Sequence, residues 1–202
     1  MQAIFQQIAT HRVLATTLFL MVFPWLMPYE ALAINILIFG LFAMGFNLLF
    51  GYMGLLSFGH AAFLGMGSYI TGISIVSYGM PWGAAILFGV IAAAFGGLVI
   101  GFLAIRTRGI YFSMVTLALG QIVYYGFYKA EKLTGGENGL RGVKVDPFNI
   151  LGFKVDFLNP LVKYYIILFF VVIAIWLVSR ILKSPLGAVM EAIRENEKRV
   201  LA

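Results

Sequence analysis

Two side chains able to act as a nucleophile and a base, Ser57 and His60, stand three residues apart. Acyl transfer by such a pair also needs an oxyanion hole and a third group to orient the imidazole, and nothing nearby marks either. The other histidine is His11, and cysteine is absent. Thiol chemistry and disulfides are thereby excluded, and a zinc or iron site would need carboxylates that the surrounding sequence lacks. No metal or other cofactor is expected. The chain also has no Gly-x-x-x-x-Gly-Lys-Ser/Thr run, so it cannot bind a nucleotide in a P-loop and is not its own motor. What remains open to Asn47, Ser57 and His60 is polar recognition or hydrogen bonding between helices, within a stretch interrupted by Gly45, Gly51, Gly54 and Gly59.

The elements around them are apolar. Of 202 residues, 62% are hydrophobic and 11% charged, and the mean hydropathy is +0.98. That is about 125 apolar side chains, which six membrane spans of about 20 residues each would absorb. The sequence therefore predicts an all-α, polytopic transmembrane bundle. Long unbroken apolar runs exclude an outer-membrane barrel, whose strands alternate in polarity. The net charge of +6 sits at span ends and in loops, where topology accounts for it, so nucleic acid is not an expected partner.

The spans are read as Val13–Met27, about 31–50, 54–78 and 82–105, Ile110–Tyr128 and Leu161–Leu182. No Asp, Glu, Lys or Arg occurs from Ala31 to Ile105. Ala31-Leu32-Ala33 imitates a signal-peptide cleavage site, but another long apolar run follows it. Residues 129–162 form the one long polar loop, carrying TGGENGL and allowing short strands or a small helix around Val143–Phe157. Ser184-Pro185 reads as an N-cap with proline at the first helical position, opening a polar helix. The domain reading is thus a membrane domain over 1–183 and a cytoplasmic helix over 184–202. With Arg12 inside, six spans place Arg106, Arg108 and Lys183–Arg199 in the cytoplasm and the 129–162 loop outside, as the positive-inside rule requires.

Glycine-interrupted backbone at bilayer depth is tolerated only where protein buries it or where it lines an aqueous path. Residues 51–60 are accordingly expected to form a break or re-entrant segment, with close helix packing as the alternative. The candidate pathway residues are Asn47, Ser57, Gly59, His60 and Tyr69 in this block, with Thr116 and Gln121 in the fifth span. In the fourth span Ala85, Gly89, Ala93, Gly97 and Gly101 form a small-residue stripe suited to a close crossing. The last helix gathers Leu186, Val189, Met190 and Ile193 on one side. Its mixed acidic and basic surface favours a protein partner over lipid headgroups, though lying flat on the membrane stays open.

Four blocks carry a resemblance: GFNLLFGYMGLLSFGHAAFLGMGSY at Gly45–Tyr69, RTRGIYFSMVTLALG at Arg106–Gly120, LTGGENGL at Leu133–Leu140 and SPLGAVMEAIRENEKR at Ser184–Arg199. In this order they resemble the permease subunits of bacterial ABC importers for branched-chain amino acids, on the LIV-type M-subunit side of that family. The resemblance implies a multi-pass protein of the bacterial inner membrane. It also implies a pathway shared with a second, related permease subunit, an extracytoplasmic binding protein that delivers substrate, and two ATPase subunits that drive transport. Gly187, Glu191, Ala192, Arg194 and Glu195 would lie in the ATPase-coupling segment, with Leu186 and Ile193 as its apolar anchors. Leucine, isoleucine and valine are the default substrates. Related permeases carry urea or short amides, and a stand-alone channel or secondary transporter fits the composition equally well. Family members continue into further spans, so a chain stopping at Leu201-Ala202 reads as truncated.

Overall fold

The structure is a computed structural model describing residues 15–143, 148–150, 153–155 and 159–200. His11 and Arg12, on which the expected orientation leans, lie outside the described residues, as do parts of the 129–162 loop. The fold is a polytopic helical bundle whose helices fall into two compact units, residues 1–48 with 147–202 and residues 49–146. Four helices are long and apolar enough to cross a bilayer among the described residues, and two apolar ones are shorter. Six apolar helices among the described residues thus stand where six spans were read, two of them shorter than a full crossing.

The first unit contains α1 (Ala15–Leu26), α2 (Glu30–Asn47), α7 (Pro160–Leu182) and α8 (Pro185–Val200). Its hairpin pairs β1 (Phe148–Ile150) antiparallel with β2 (Phe153–Val155), with Asn149 opposite Lys154. Asn159 caps α7 by accepting from the Leu161 N–H at 3.0 Å, and Pro160 stands at the first helical position. Ser184-Pro185 carries the same sequence signal, but the Ser184 hydroxyl turns back and donates to the Ile181 carbonyl at 2.6 Å. The core of the unit is Phe23, Ala33, Leu37, Tyr164, Leu168 and Val171. Pro24 has no N–H to give the Leu20 carbonyl one turn earlier. The Tyr164 hydroxyl supplies the missing donor at 2.6 Å, as apolar surroundings demand of any freed backbone group.

The second unit contains α3 (Ala61–Val76), α4 (Trp82–Ala104) and α5 (Ile110–Lys129), followed by α6 (Glu131–Thr134) and a 3₁₀ turn (Gly136–Asn138). Residues 54–78 are not one continuous helix, in keeping with the break expected over 51–60. Residues 54–60 are non-helical, and the 16-residue α3 reaches about 24 Å at 1.5 Å per residue, short of a hydrocarbon core of about 30 Å. α3 and α4 cross at glycine: a Cβ on Gly89 would strike Thr71 Oγ1 and the Gly67 carbonyl. The small-residue stripe of α4 does not take part along its whole length. A Cβ on Gly101 would meet nothing within 4 Å, because four-residue spacing drifts about 40° per step around a 3.6-residue helix.

Candidate functional site

The break in the backbone begins inside a helix. At Leu48–Tyr52 the helix that starts at Glu30 loosens into a π-helical turn, a geometry that recurs at functional sites. Gly54 then adopts a left-handed conformation, φ 71°. Its N–H donates to the Phe50 carbonyl at 3.2 Å and that of Leu55 to Leu49 at 3.0 Å, which satisfies the last carbonyls of the turn.

The segment beyond has no helical partners of its own, and α5 supplies them. The Ser113 hydroxyl donates to the Leu56 carbonyl at 2.7 Å. Thr116 Oγ1 accepts from the Phe58 N–H at 3.2 Å and donates to the Ser113 carbonyl at 2.9 Å. Both side chains are buried, as is Ser57 in the segment itself. One turn further along α5, backbone meets backbone. A Cβ on Gly59 would collide with the Thr116 carbonyl, and one on Gly120 would stand 2.9 Å from Gly59 Cα. Residues 113, 116 and 120 share one face of α5, so that face is a rail along which the broken segment is laid.

The glycine-rich turn is tied to the far end of the same helix. Thr134 Oγ1 donates toward the carbonyls of Phe127 (2.7 Å) and Ala130 (3.0 Å) and accepts from the Gly136 N–H at 3.2 Å. Gly135, Gly136 and Gly139 all have positive φ. Leu140, following them, packs over Gly72 of α3, where a Cβ would collide with its side chain.

Between these anchors lies a cavity of about 710 Å³, lined by Phe58 and Gly59 of the broken segment, Gly65 and Tyr69 of α3, Gln121, Tyr124, Tyr125 and Tyr128 of α5, and Glu137 of the turn, among others. That volume falls within the roughly 300–1,000 Å³ of small-molecule sites. Tyr69 stacks on Phe127 with centroids 5.2 Å apart, and Tyr124 on Tyr128 at 5.9 Å. A carboxylate, a carboxamide and tyrosine hydroxyls on a largely apolar wall suit a small amphipathic ligand better than an ion.

Of the residues singled out from sequence, Gly59, Tyr69 and Gln121 line the cavity. Thr116 holds the broken segment from behind. Ser57 lies in that segment, and His60 precedes α3 with its ring 5.5 Å from Phe63, edge to face. Asn47 is the last residue of α2 and belongs to the first unit. Sequence reasoning passed over Tyr124, Tyr125, Tyr128 and Glu137. Gln121, Tyr124, Tyr125 and Tyr128 follow the i, i+3, i+4, i+7 spacing of a single helix face, a signal present in the sequence that its reading did not use.

At the other end of the chain, α8 folds against α7. Gly187 is buried at the corner, where a Cβ would collide with the Leu182 carbonyl. Leu186 and Val189 are exposed. Glu191, Arg194 and Glu195 are also exposed, whereas Ala192 and Ile193 are half-buried.

A family model described as the permease component of branched-chain amino acid transport systems matches residues 29–202. Two curated relatives are the high-affinity branched-chain amino acid transport system permease proteins LivM of Escherichia coli (strain K12) and Salmonella typhimurium (strain LT2). Each is 31% identical over 181 residues, covering 80% of this chain and 42% of the relative, so the chain spans less than half the length of these relatives. No solved structure matches the chain significantly. The family match takes in the broken helix, α5, the glycine-rich turn and α8 alike, and on it the chain belongs to the family of branched-chain amino acid transport permease components.

Proposed function

We propose that this chain forms part of the translocation pathway of an ABC importer for leucine, isoleucine and valine in the bacterial inner membrane. In this reading it pairs with a second permease subunit, receives substrate from an extracytoplasmic binding protein and is driven by two ATPase subunits. Residues 1–183 are the membrane domain, oriented with the N-terminus inside and the 129–162 loop outside, and 184–202 the coupling helix. Asn47, Ser57, Gly59, His60, Tyr69, Thr116 and Gln121 belong to or support the pathway. The supporting observation is convergence: the broken segment, α5 and the glycine-rich turn, three of the four sequence blocks, wall one cavity.

The coupling role of α8 draws on its exposed Leu186 and Val189 beside a charged surface. An apolar anchor within a polar rim is what a rigid protein contact requires.

The test is reconstitution of the full-length protein with its partner subunits in liposomes. ATP-dependent uptake of labelled leucine, isoleucine and valine is expected, and urea and acetamide should not accumulate. Accumulation of urea alone would replace the substrate reading, and uptake without ATPase would replace the importer with a channel or secondary transporter. In the same preparation Ile193→Asp should lose the ATPase on purification, since burying an unpaired carboxylate costs roughly several kcal/mol. Retention of the ATPase with loss of lipid association would assign α8 to the membrane surface instead. Orientation is checked with an impermeant thiol reagent, which should label a cysteine at Glu137 and spare one at Thr107.

A further inference from the structure

Among the described residues that line the cavity of the second unit, one is charged, and it is acidic. Glu137 follows directly on Gly136, which is buried and whose N–H is held by Thr134 at 3.2 Å. Its main chain is therefore fixed on α5 rather than left to a loose loop. Among the described residues no lysine or arginine lines the space, so a ligand bearing only a carboxylate finds no counter-charge among them. The same lining carries Tyr124 and Tyr128, stacked with their centroids 5.9 Å apart. Aromatic faces attract cations through the ring quadrupole and offer apolar surface to a hydrocarbon chain. A carboxylate and aromatic rings in one lining are complementary to an ammonium group attached to an apolar body, and they give no advantage to a neutral amide of the same size.

We propose that this cavity binds the transported amino acid by its α-ammonium group, with Glu137 as counter-charge and the rings of Tyr124 and Tyr128 against the side chain. This rests on the reading of the chain as an amino acid permease. It adds that the permease itself selects an ammonium-bearing substrate, independently of any binding protein. Glu137 is then a substrate-contacting residue, and the glycine-rich turn is the element that aims it.

The experiment uses the full-length complex with no binding protein added and a single accessible cysteine introduced at Val123, which lines the cavity. The readout is the rate of labelling by a soluble thiol reagent. Leucine and leucine methyl ester, which keep the ammonium, should slow labelling, and 4-methylpentanoate and urea should not. Glu137→Gln should raise the leucine concentration needed for half-protection about ten-fold or more, because a charge-assisted hydrogen bond becomes a neutral one. Glu137→Asp, which keeps the charge, should restore most of the protection. The labelling rate without ligand reports whether each variant keeps the fold. Equal protection by 4-methylpentanoate and leucine, leucine protection unchanged in Glu137→Gln, or no protection by leucine at all would each overturn the proposal. ATP-driven leucine uptake by the same complex, measured with its binding protein supplied, separates the two failures. Uptake without protection refutes the cavity assignment alone, whereas urea uptake in place of leucine refutes the permease reading beneath it.

Discussion

The two units hold apolar helices together by opposite means. In residues 49–146 contact is made by removing side chains: Gly59 against the Thr116 carbonyl, Gly120 against Gly59, Gly89 against Thr71. In the unit built from α1, α2 and α7, contact is made by large side chains, with Tyr164, Leu168 and Phe23 filling the space between helices. Both units must also repair a helix that lost backbone hydrogen bonds. The first does so with one tyrosine hydroxyl aimed at the carbonyl that Pro24 orphans, and the second with a short polar ladder through Ser113 and Thr116. The difference is one of tolerance. A side-chain core can repack around a change, whereas two backbones in contact have nothing to move aside. The unit with the cavity is the one built the unforgiving way, which fits a site whose walls must keep their shape.

The largest effect is therefore expected at Gly59. Alanine there places a methyl group on the Thr116 carbonyl, so the broken segment must lift off α5. Overpacking of this kind costs about 1–3 kcal/mol even where side chains can yield, and here a main-chain atom stands in the way. Leucine uptake by the reconstituted complex should fall at least about ten-fold for Gly59→Ala and vanish for Gly59→Leu, with the complex still assembled in the membrane. Gly101→Ala, on open ground in α4, should transport normally. Equal uptake by Gly59→Ala and Gly101→Ala would show that the close approach has no functional weight.

What the sequence revealed and withheld follows from the range of the interactions. Spans were legible because hydropathy is a sum over neighbours, and the break at 54–60 because Gly51, Gly54 and Gly59 surround polar Ser57 and His60 within ten residues. The partners of the break were not legible. Thr116 reads equally as a wall or as packing, and only the register of α5 against a non-helical segment 58 residues away decides that it holds the Phe58 N–H. Glu137 was hidden for the same reason, since a loop glutamate has no assigned neighbours until Thr134 is seen to pin its turn on Phe127 and bring it into the lining of the cavity. Local signals also mislead: Asn159-Pro160 and Ser184-Pro185 look alike, yet the first side chain caps its helix and the second bonds backward to Ile181.

An intermediate effect is expected at Thr116. Thr116→Val keeps the shape and leaves the Phe58 N–H and the Ser113 carbonyl without this partner. A buried group left unsatisfied costs about 1–3 kcal/mol, so the melting temperature of the purified full-length protein should drop and uptake should weaken with it. Thr116→Ser, which keeps the hydroxyl, should recover most of both. Uptake lost in the valine variant at unchanged stability would instead give Thr116 a direct contact with substrate.

The smallest effect is expected in the side-chain core, and it carries the sharpest internal control. Tyr164→Phe keeps the ring that fills the space between helices and removes only the hydroxyl that donates to the Leu20 carbonyl. A single intramolecular hydrogen bond contributes about 0.5–1.5 kcal/mol net, so the variant should lose about that much stability and transport close to normally. The explanation offered for the bond is that Pro24 removes the N–H that would otherwise serve Leu20. Pro24→Ala restores that N–H, and in its presence the hydroxyl becomes redundant. Tyr164→Phe should then cost less in the Pro24→Ala background than in the natural one, a coupling that a double-mutant cycle on unfolding free energy measures directly. If the two substitutions add without coupling, the tyrosine is not repairing the proline break, and the contrast between a forgiving unit and an unforgiving one rests on packing alone.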